Sequence, residues 1–228
     1  MILKSKSLLV IAAHPDDEVL GCGGTLLKLK KKKCKISILF ISDGVSSREN
    51  IASSYNLLIK KRYAAAKKVA KIIGAHRVDF LSLPDNNLEK IGLLNITKKI
   101  ERLINIIKPD TILTHSNLDL NLDHQLVNKS VLVATRPQNK GIIKNIYSFE
   151  ILSSSEWNFG TKIFEPNHFV DISNEIKSKI KLIGYYNSEL RKWPHPRSKK
   201  GIEVLANFRG QSVGVKFAEA FKLIRSFE

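Results

Sequence analysis

Within AAHPDDEVLGC (residues 12–22) an imidazole and a carboxylate, His14 and Asp17, stand three residues apart, with a second carboxylate, Asp16, between them. At the entrance to a helix that spacing turns two side chains to one face. Imidazole plus carboxylate suits zinc or a similar divalent ion, and a catalytic zinc takes three protein ligands. The third must come from elsewhere, and THSNLDLNLDH (residues 114–124) is the other segment rich in His and Asp. His124 is the choice, because it opens the helix that follows; His115 competes. Asp16 is then left over as a base. A carboxylate beside a water on such an ion can take its proton, since zinc lowers the water's pKa to about 7.

These residues need a frame that brings distant segments together. Apolar runs and helical patterns alternate along the chain. SLLVIAA (7–13), KISILFIS (35–42), RVDFLSL (77–83) and TILTH (111–115) read as strands. Helices are predicted over 25–33, 51–73 and 92–107, the second stopped by Gly74. This repetition predicts an α/β fold: a Rossmann-like, mostly parallel sheet with helices on both faces. Such sheets bind ligands beyond the carboxyl ends of their strands, near a switch in strand order. HPDD ends the first strand and HSNLDLNLDH ends the fourth, so both reactive segments fall where this fold builds sites. Later, 144–151 and 167–173 read as strands and 174–190 as a helix capped by Ser173 or Asn174. Residues 193–201 read as a proline-containing loop, and two further helical stretches end the chain. Without repeat, linker or low-complexity segment, residues 1–228 are expected to form a single domain.

Composition narrows the classes. The chain carries 38 Lys+Arg against 21 Asp+Glu, a net charge of +17. Nucleic acid, anionic lipid or a phosphorylated substrate are the partners such a surplus raises. The lysines are spread over many helices and no RNA-binding pattern accompanies them, so a nucleic-acid binder is the weaker reading. No stretch approaches the ~20 apolar residues needed to span a bilayer. The start, MILKSKSLLVIAA, has the lysines and apolar run of a signal peptide but no cleavage-type ending. With two cysteines, Cys22 and Cys34, and no CxxC, a cytoplasmic protein is expected. A homo-oligomer is compatible with the sequence. The glycine-rich GCGGT (21–25), with Asp43 about twenty residues on, raises a dinucleotide site. Against it, the third glycine would fall at Leu26, and the glycines read better as a turn near the metal site.

AAHPDDEVLGCGGT and the later THSNLDLNLDH resemble the PIG-L/LmbE family of zinc-dependent N-deacetylases. HPRSKKGIEVLANFRGQSVGVKFAEAF resembles the C-terminal block of its bacterial members, so the likeness covers nearly the whole chain. It implies a Rossmann-like fold and zinc-assisted removal of acetyl from an N-acetylglucosamine-type sugar or its conjugate. It gives His14, Asp17 and His124 as the metal ligands and Asp16 as the base. Some members carry a histidine three residues before the last ligand; here that place is Asn121, which can donate to an oxyanion but supplies no proton. His195 and His115 are candidates for the missing acid, or protonated Asp16 returns its proton to the leaving nitrogen. Arg62 falls where members carry a substrate-contacting arginine. Asp119 and Asp123 flank the third ligand and are expected to orient His124 or to hold sugar hydroxyls. Arg197 is a candidate to grip a phosphate on the substrate. A different amide substrate stays open.

Overall fold

The computed structural model describes residues 1–48, 54–137, 143–160 and 162–227. From Leu8 to Ala13 every side chain is apolar and fully buried, so the strand they form must be covered on both faces. It is: along β1 (Ser7–Ala12), Leu8, Val10 and Ala12 enter one core while Leu9, Ile11 and Ala13 enter another. The other strands are β2 (Lys35–Ser42), β3 (Arg77–Leu83), β4 (Thr111–His115), β5 (Asn145–Phe149), β6 (His168–Asp171) and β7 (Ala218–Ser226). They make one sheet in the order β3-β2-β1-β4-β5-β7-β6. β1 to β5 are parallel, with Val10 opposite both Ile38 and Leu113. β7 runs antiparallel between β5 and β6.

The helices are α1 (Asp17–Lys31), α2 (Tyr55–Ile73), α3 (Leu88–Ile91), α4 (Leu93–Ile107), α5 (Leu122–Ala134), α6 (Ile176–Ile183) and α7 (Lys199–Gln211). α1, α2, α6 and α7 cover the first core; α4 and α5 cover the second. α4 shows why: Ile96, Ile100, Leu103 and Ile104, three or four residues apart, form its buried stripe. The chain winds outward through β2 and β3, then returns to lay β4 on the other side of β1. The loops after β1 and β4 therefore diverge, leaving a crevice at the carboxyl ends of both. No helix among the described residues is long and apolar enough to cross a membrane.

Several expectations need correction. The first helix begins at Asp17, so GCGGT is not a turn but lies inside α1, which kinks at Cys22 (φ −146°, ψ 17°). The glycines allow close packing: a Cβ on Gly21 would lie 2.4 Å from Phe149 Cδ2, and one on Gly24 2.7 Å from Ile172 Cγ2. Buried Glu219 accepts from Gly24 N (2.8 Å) and Thr25 N (2.7 Å) just past the kink. The dinucleotide alternative loses both its parts, because Asp43 is buried and its Oδ1 accepts from the backbone of Val45 and Ser46 in its own loop. Of the final two stretches expected to be helical, only α7 is. β7 is a strand because Phe221 and Leu223, two residues apart, meet the first core on one face, the period of a strand, and β5 and β6 pair with its two edges. The helix expected over 174–190 is only α6, preceded by Glu175 with no side-chain cap. Residues 184–198 are irregular and come back over the crevice, where Glu189, Arg191 and Arg197 line it. Residues 51–53 of the second expected helix lie outside the described residues.

Candidate active site

Each reactive side chain stands at the carboxyl end of a strand or the start of the helix after it. His14 and Asp16 follow β1, and Asp17 opens α1. Asp85 follows β3, and His115 ends β4. Asn121 caps α5: its Oδ1 accepts from Asp123 N (2.8 Å) and His124 N (3.4 Å), which sets His124 in the helix's first turn. Leu122, between them, is apolar yet exposed.

Three donor atoms converge at the crevice. His14 Nδ1 is 3.2 Å from Asp17 Oδ2 and 3.3 Å from His124 Nε2, and the last two are 3.5 Å apart. Four tetrahedral donors at about 2.0–2.1 Å from a zinc ion lie about 3.3–3.4 Å from one another. The triangle therefore matches one face of a tetrahedral site, and all three residues are buried. Asp17 Oδ1 has no hydrogen-bond partner among the described residues. The donor set and its spacing fit a divalent ion.

The surroundings orient these donors. His124 Nδ1 lies 3.1 Å from Asp119 Oδ1, which leaves Nε2 to face the centre. Asp119 is anchored by Ser154 and Ser155 (Oγ to Oδ2, 2.6 Å). His14 Nε2 meets Asp85 Oδ1 at 2.9 Å and Asp123 Oδ2 at 3.3 Å, which leaves its Nδ1 for the centre. Asp123 also accepts from Asn86 N (2.8 Å) and Leu88 N (3.3 Å), tying the loop after β3 to α5. Burial lowers the affinity of both imidazoles for a proton, but the acids around them prevail. Asp17 and Asp119 push His124 up to about 9, and contacts with Asp123, Asp17 and Asp85 hold His14 well above its ordinary value. Burial would raise the carboxyls of Asp17 and Asp119, yet His124 prevails, holding Asp17 well below the ordinary range and Asp119 at about 2. These acids favour positive charge at the centre, which two protonated imidazoles or one divalent cation supply.

Asp16 is fully buried beside the triangle, in a backbone conformation rare for a residue with a side chain (φ 136°). Such strain costs on the order of 1–3 kcal/mol and persists where its surroundings impose it. Here Glu18 Oε2 accepts from Asp16 N at 2.9 Å, while Glu18 Oε1 accepts from Tyr186 Oη at 2.6 Å. Arg62 reaches Asp16 Oδ1 (3.2 Å) and Arg197 reaches Oδ2 (3.0 Å). Burial outweighs both guanidiniums and lifts Asp16 to about 6.

The triangle opens into a cleft of about 350 Å³, lined by His14, Asp16, Arg62, Asn121 and Arg197 among others. Three residues expected at a substrate, His115, Asp119 and His195, are not among those lining the cleft. His115 is fully buried, stacked 3.9 Å from the His124 ring, and its Nε2 accepts from Ala13 N at 2.8 Å. Burial and the neighbouring His124 hold it well below its ordinary pKa. As a backbone-bound neutral ring it forms the floor beneath the donors, so it is neither a third ligand nor within a substrate's reach. Asp119 is likewise fully buried behind His124, with its oxygens occupied, so it orients that ring and has none free for sugar hydroxyls. His195 is not among the lining residues; its Nδ1 accepts from Arg197 N (3.1 Å) and its ring meets Trp157 edge-on. Arg197 does line the cleft, but its guanidinium is held by Asp16 and Leu152 O. Sequence reasoning missed Asp85, Glu18, Tyr186 and Glu189, the last lining the cleft with its Oε1 against Arg62 and Arg48. The acid of PDNN at the tip of the third strand was a signal for Asp85; nothing local marked the others.

Known proteins resemble this chain in sequence and in fold. The model of the PIG-L family, described as GlcNAc-PI de-N-acetylase, matches residues 9–135, more than half of the chain. The chain belongs to the PIG-L family. It is 29% identical to the uncharacterized deacetylase YaiS of Escherichia coli over 71% of this chain and 82% of that protein. It is 24% identical to the diacetylchitobiose deacetylase of Thermococcus kodakarensis over 96% of this chain and 83% of that one. The N,N'-diacetylchitobiose deacetylase of Pyrococcus horikoshii, solved with an inhibitor, superposes with a TM-score of 0.78 at 21% identity, covering 97% of this chain and 85% of that one. The PIG-L match spans β1 through α5, the segment that carries every donor of the triangle.

Proposed function

We propose that this protein is a metal-dependent deacetylase that hydrolyses the acetamide of an N-acetylglucosamine-type sugar or its conjugate. The observation that carries this reading is the buried triangle of His14 Nδ1, Asp17 Oδ2 and His124 Nε2 beside a buried carboxylate, Asp16. His14, Asp17 and His124 would hold zinc or a similar ion. When bound, such an ion acts as a Lewis acid that acidifies water and polarises an amide carbonyl.

The chain's own residues do the rest. Asp16 takes a proton from the attacking water and, once protonated, delivers it to the departing nitrogen. Its pKa of about 6, raised by burial, leaves it ionised at neutral pH yet basic enough to accept. Arg62 and Arg197, one on each oxygen, fix the plane of that carboxylate. Asn121 commits its oxygen to the α5 cap and keeps its NH2 at the cleft, 3.4 Å from Asn86 Oδ1, where it can donate to the developing oxyanion. Asp119 orients His124; Asp85 and Asp123 orient His14. A cytoplasmic setting belongs to the same reading, supported by two free cysteines, Cys22 and Cys34. The experiment is an acetate-release screen over free and conjugated N-acetyl sugars, paired with metal analysis of the purified protein. Acetate from at least one sugar, lost in His124→Ala together with the metal, supports the reading. A metal-free protein that releases no acetate from any sugar, with zinc added, defeats it.

A further inference from the structure

An aspartate just before the first turn of a helix ordinarily spends its carboxylate on that helix, accepting from the open N–H groups two or three residues on. Asp16 holds that place at the start of α1, and its carbonyl accepts from Val19 N and Leu20 N at 3.0 Å each. Its carboxylate makes no capping bond. It is turned into the cleft instead, between Arg62 and Arg197. The backbone rotation that frees it, φ 136° and ψ −26°, is one that residues with a side chain rarely adopt. Such a conformation lasts only where neighbours hold it. The neighbour that holds this one is Glu18. Its Oε2 accepts from Asp16 N at 2.9 Å, the reach-back of a capping box made from the second helical residue rather than the third. Glu18 is fully buried and is not among the residues lining the cleft, so it meets no substrate. Its other oxygen accepts from Tyr186 Oη at 2.6 Å. Tyr186 is itself buried and belongs to the irregular segment that returns over the crevice.

We propose that Glu18 is the positioning residue that makes Asp16 a base rather than a helix cap, and that Tyr186 holds Glu18 in place for that task. This rests on the deacetylase reading above and adds to it the two side chains that present its base. In the ordinary capping conformation the Asp16 carboxylate would close on the first N–H groups of α1 and be lost to an attacking water. With its N–H fixed by Glu18, the carboxylate stays in the cleft. Tyr186 lies outside residues 9–135, the span that matches the PIG-L model. The later part of the chain thus secures a base that the first strand and helix carry.

The test uses three variants: Glu18→Met, which fills the space without an acceptor, Glu18→Gln, whose amide oxygen still accepts from Asp16 N, and Tyr186→Phe. On zinc-loaded protein, with an N-acetyl sugar that the wild type hydrolyses, Glu18→Met is expected to lower kcat by about tenfold or more, with KM and zinc content unchanged. Glu18→Gln should recover most of that loss, and Tyr186→Phe should show a smaller part of it. A Glu18→Met enzyme within about threefold of wild type, or a Gln variant no better than the Met variant, overturns the proposal. So does zinc lost in step with kcat, because Glu18 would then act through Asp17. A Tyr186→Phe enzyme unchanged from wild type overturns the part given to Tyr186. A second measurement needs no turnover. Asp16→Gly and Asp16→Ala both lack the carboxylate and differ in how well they tolerate φ 136°. With Glu18 present, the Gly variant is expected to melt several degrees above the Ala variant. In Glu18→Met that gap should close or reverse, and if Glu18→Met does not fold, Tyr186→Phe should narrow it. Equal melting with Glu18 present, or a gap that survives these changes, overturns the proposal. Failure of the wild type to release acetate defeats the deacetylase reading, and the melting comparison still decides the role of Glu18.

Discussion

Asp16 and Asp17 are neighbours in sequence with the same side chain, yet their surroundings divide them. Asp17 faces two imidazoles that hold its carboxyl well below the ordinary range, and Asp16 faces two guanidiniums but is lifted by burial to about 6. A carboxylate that never protonates suits a ligand; one that exchanges a proton near neutrality suits a base. Asp16→Asn is therefore expected to keep its zinc, by metal analysis, while acetate release drops by about 10²–10⁴-fold, the usual worth of a positioned base. The orienting acids should behave oppositely. Asp119→Asn and Asp85→Asn are expected to weaken zinc binding about 10–100-fold in a chelator competition, with the far-ultraviolet spectrum unchanged. HPDD and LDH were legible in the sequence because histidine and aspartate at those spacings do little else at a strand tip. The pairing of Arg197 with Asp16 was not, since 181 positions separate them, and neither segment marks the other. Arg197 was read as a substrate contact for the same reason: a cationic residue in a loop looks free until its acid is known.

At the scale of elements, the site depends on how closely α1 approaches the sheet. Gly21 meets Phe149, which closes the floor under His115 by edge-on ring contact at 4.9 Å. Gly21→Ala would place its Cβ 2.4 Å from that ring. It is expected to destabilise the fold by about 1–3 kcal/mol in urea unfolding, the usual cost of overpacking. Ile100→Ala, on the far face, empties a fully buried position of α4. It should cost about 2–5 kcal/mol and leave zinc affinity unchanged. β1, β2 and β4 were legible because parallel strands covered on both faces read as short runs of mainly apolar or β-branched residues, and β3, half-buried at the sheet edge, because Val78, Phe80 and Leu81 stand out between Arg77, Asp79 and Ser82. The start of α1 was not: three glycines oppose a helix by propensity, and packing against Phe149 and Ile172 overrules them. β7 was misread for the complementary reason. A short apolar run with Ala, Glu and Lys scores as helix until a strand edge, here β5 on one side and β6 on the other, claims its backbone.

Across the whole molecule, the triangle joins three segments: the end of β1, the start of α1 and the start of α5, 110 positions apart at their widest. An ion bound there ties the two sides of the crevice together and favours the folded chain by RT ln(1 + [L]/Kd). Zinc at about 100 times its Kd is worth about 2.7 kcal/mol, which scanning calorimetry reads as a rise in Tm that His14→Ala abolishes. The net charge of +17 acts at the same scale, as a field that steers acidic ligands. The most direct test of the central claim is acetate release from an N-acetylglucosamine-type substrate as zinc is returned stepwise to chelator-stripped protein. Activity should climb in proportion to zinc and level off at one ion per chain. Acetate release that persists in the stripped protein, or that stays absent when the site is filled, would contradict it.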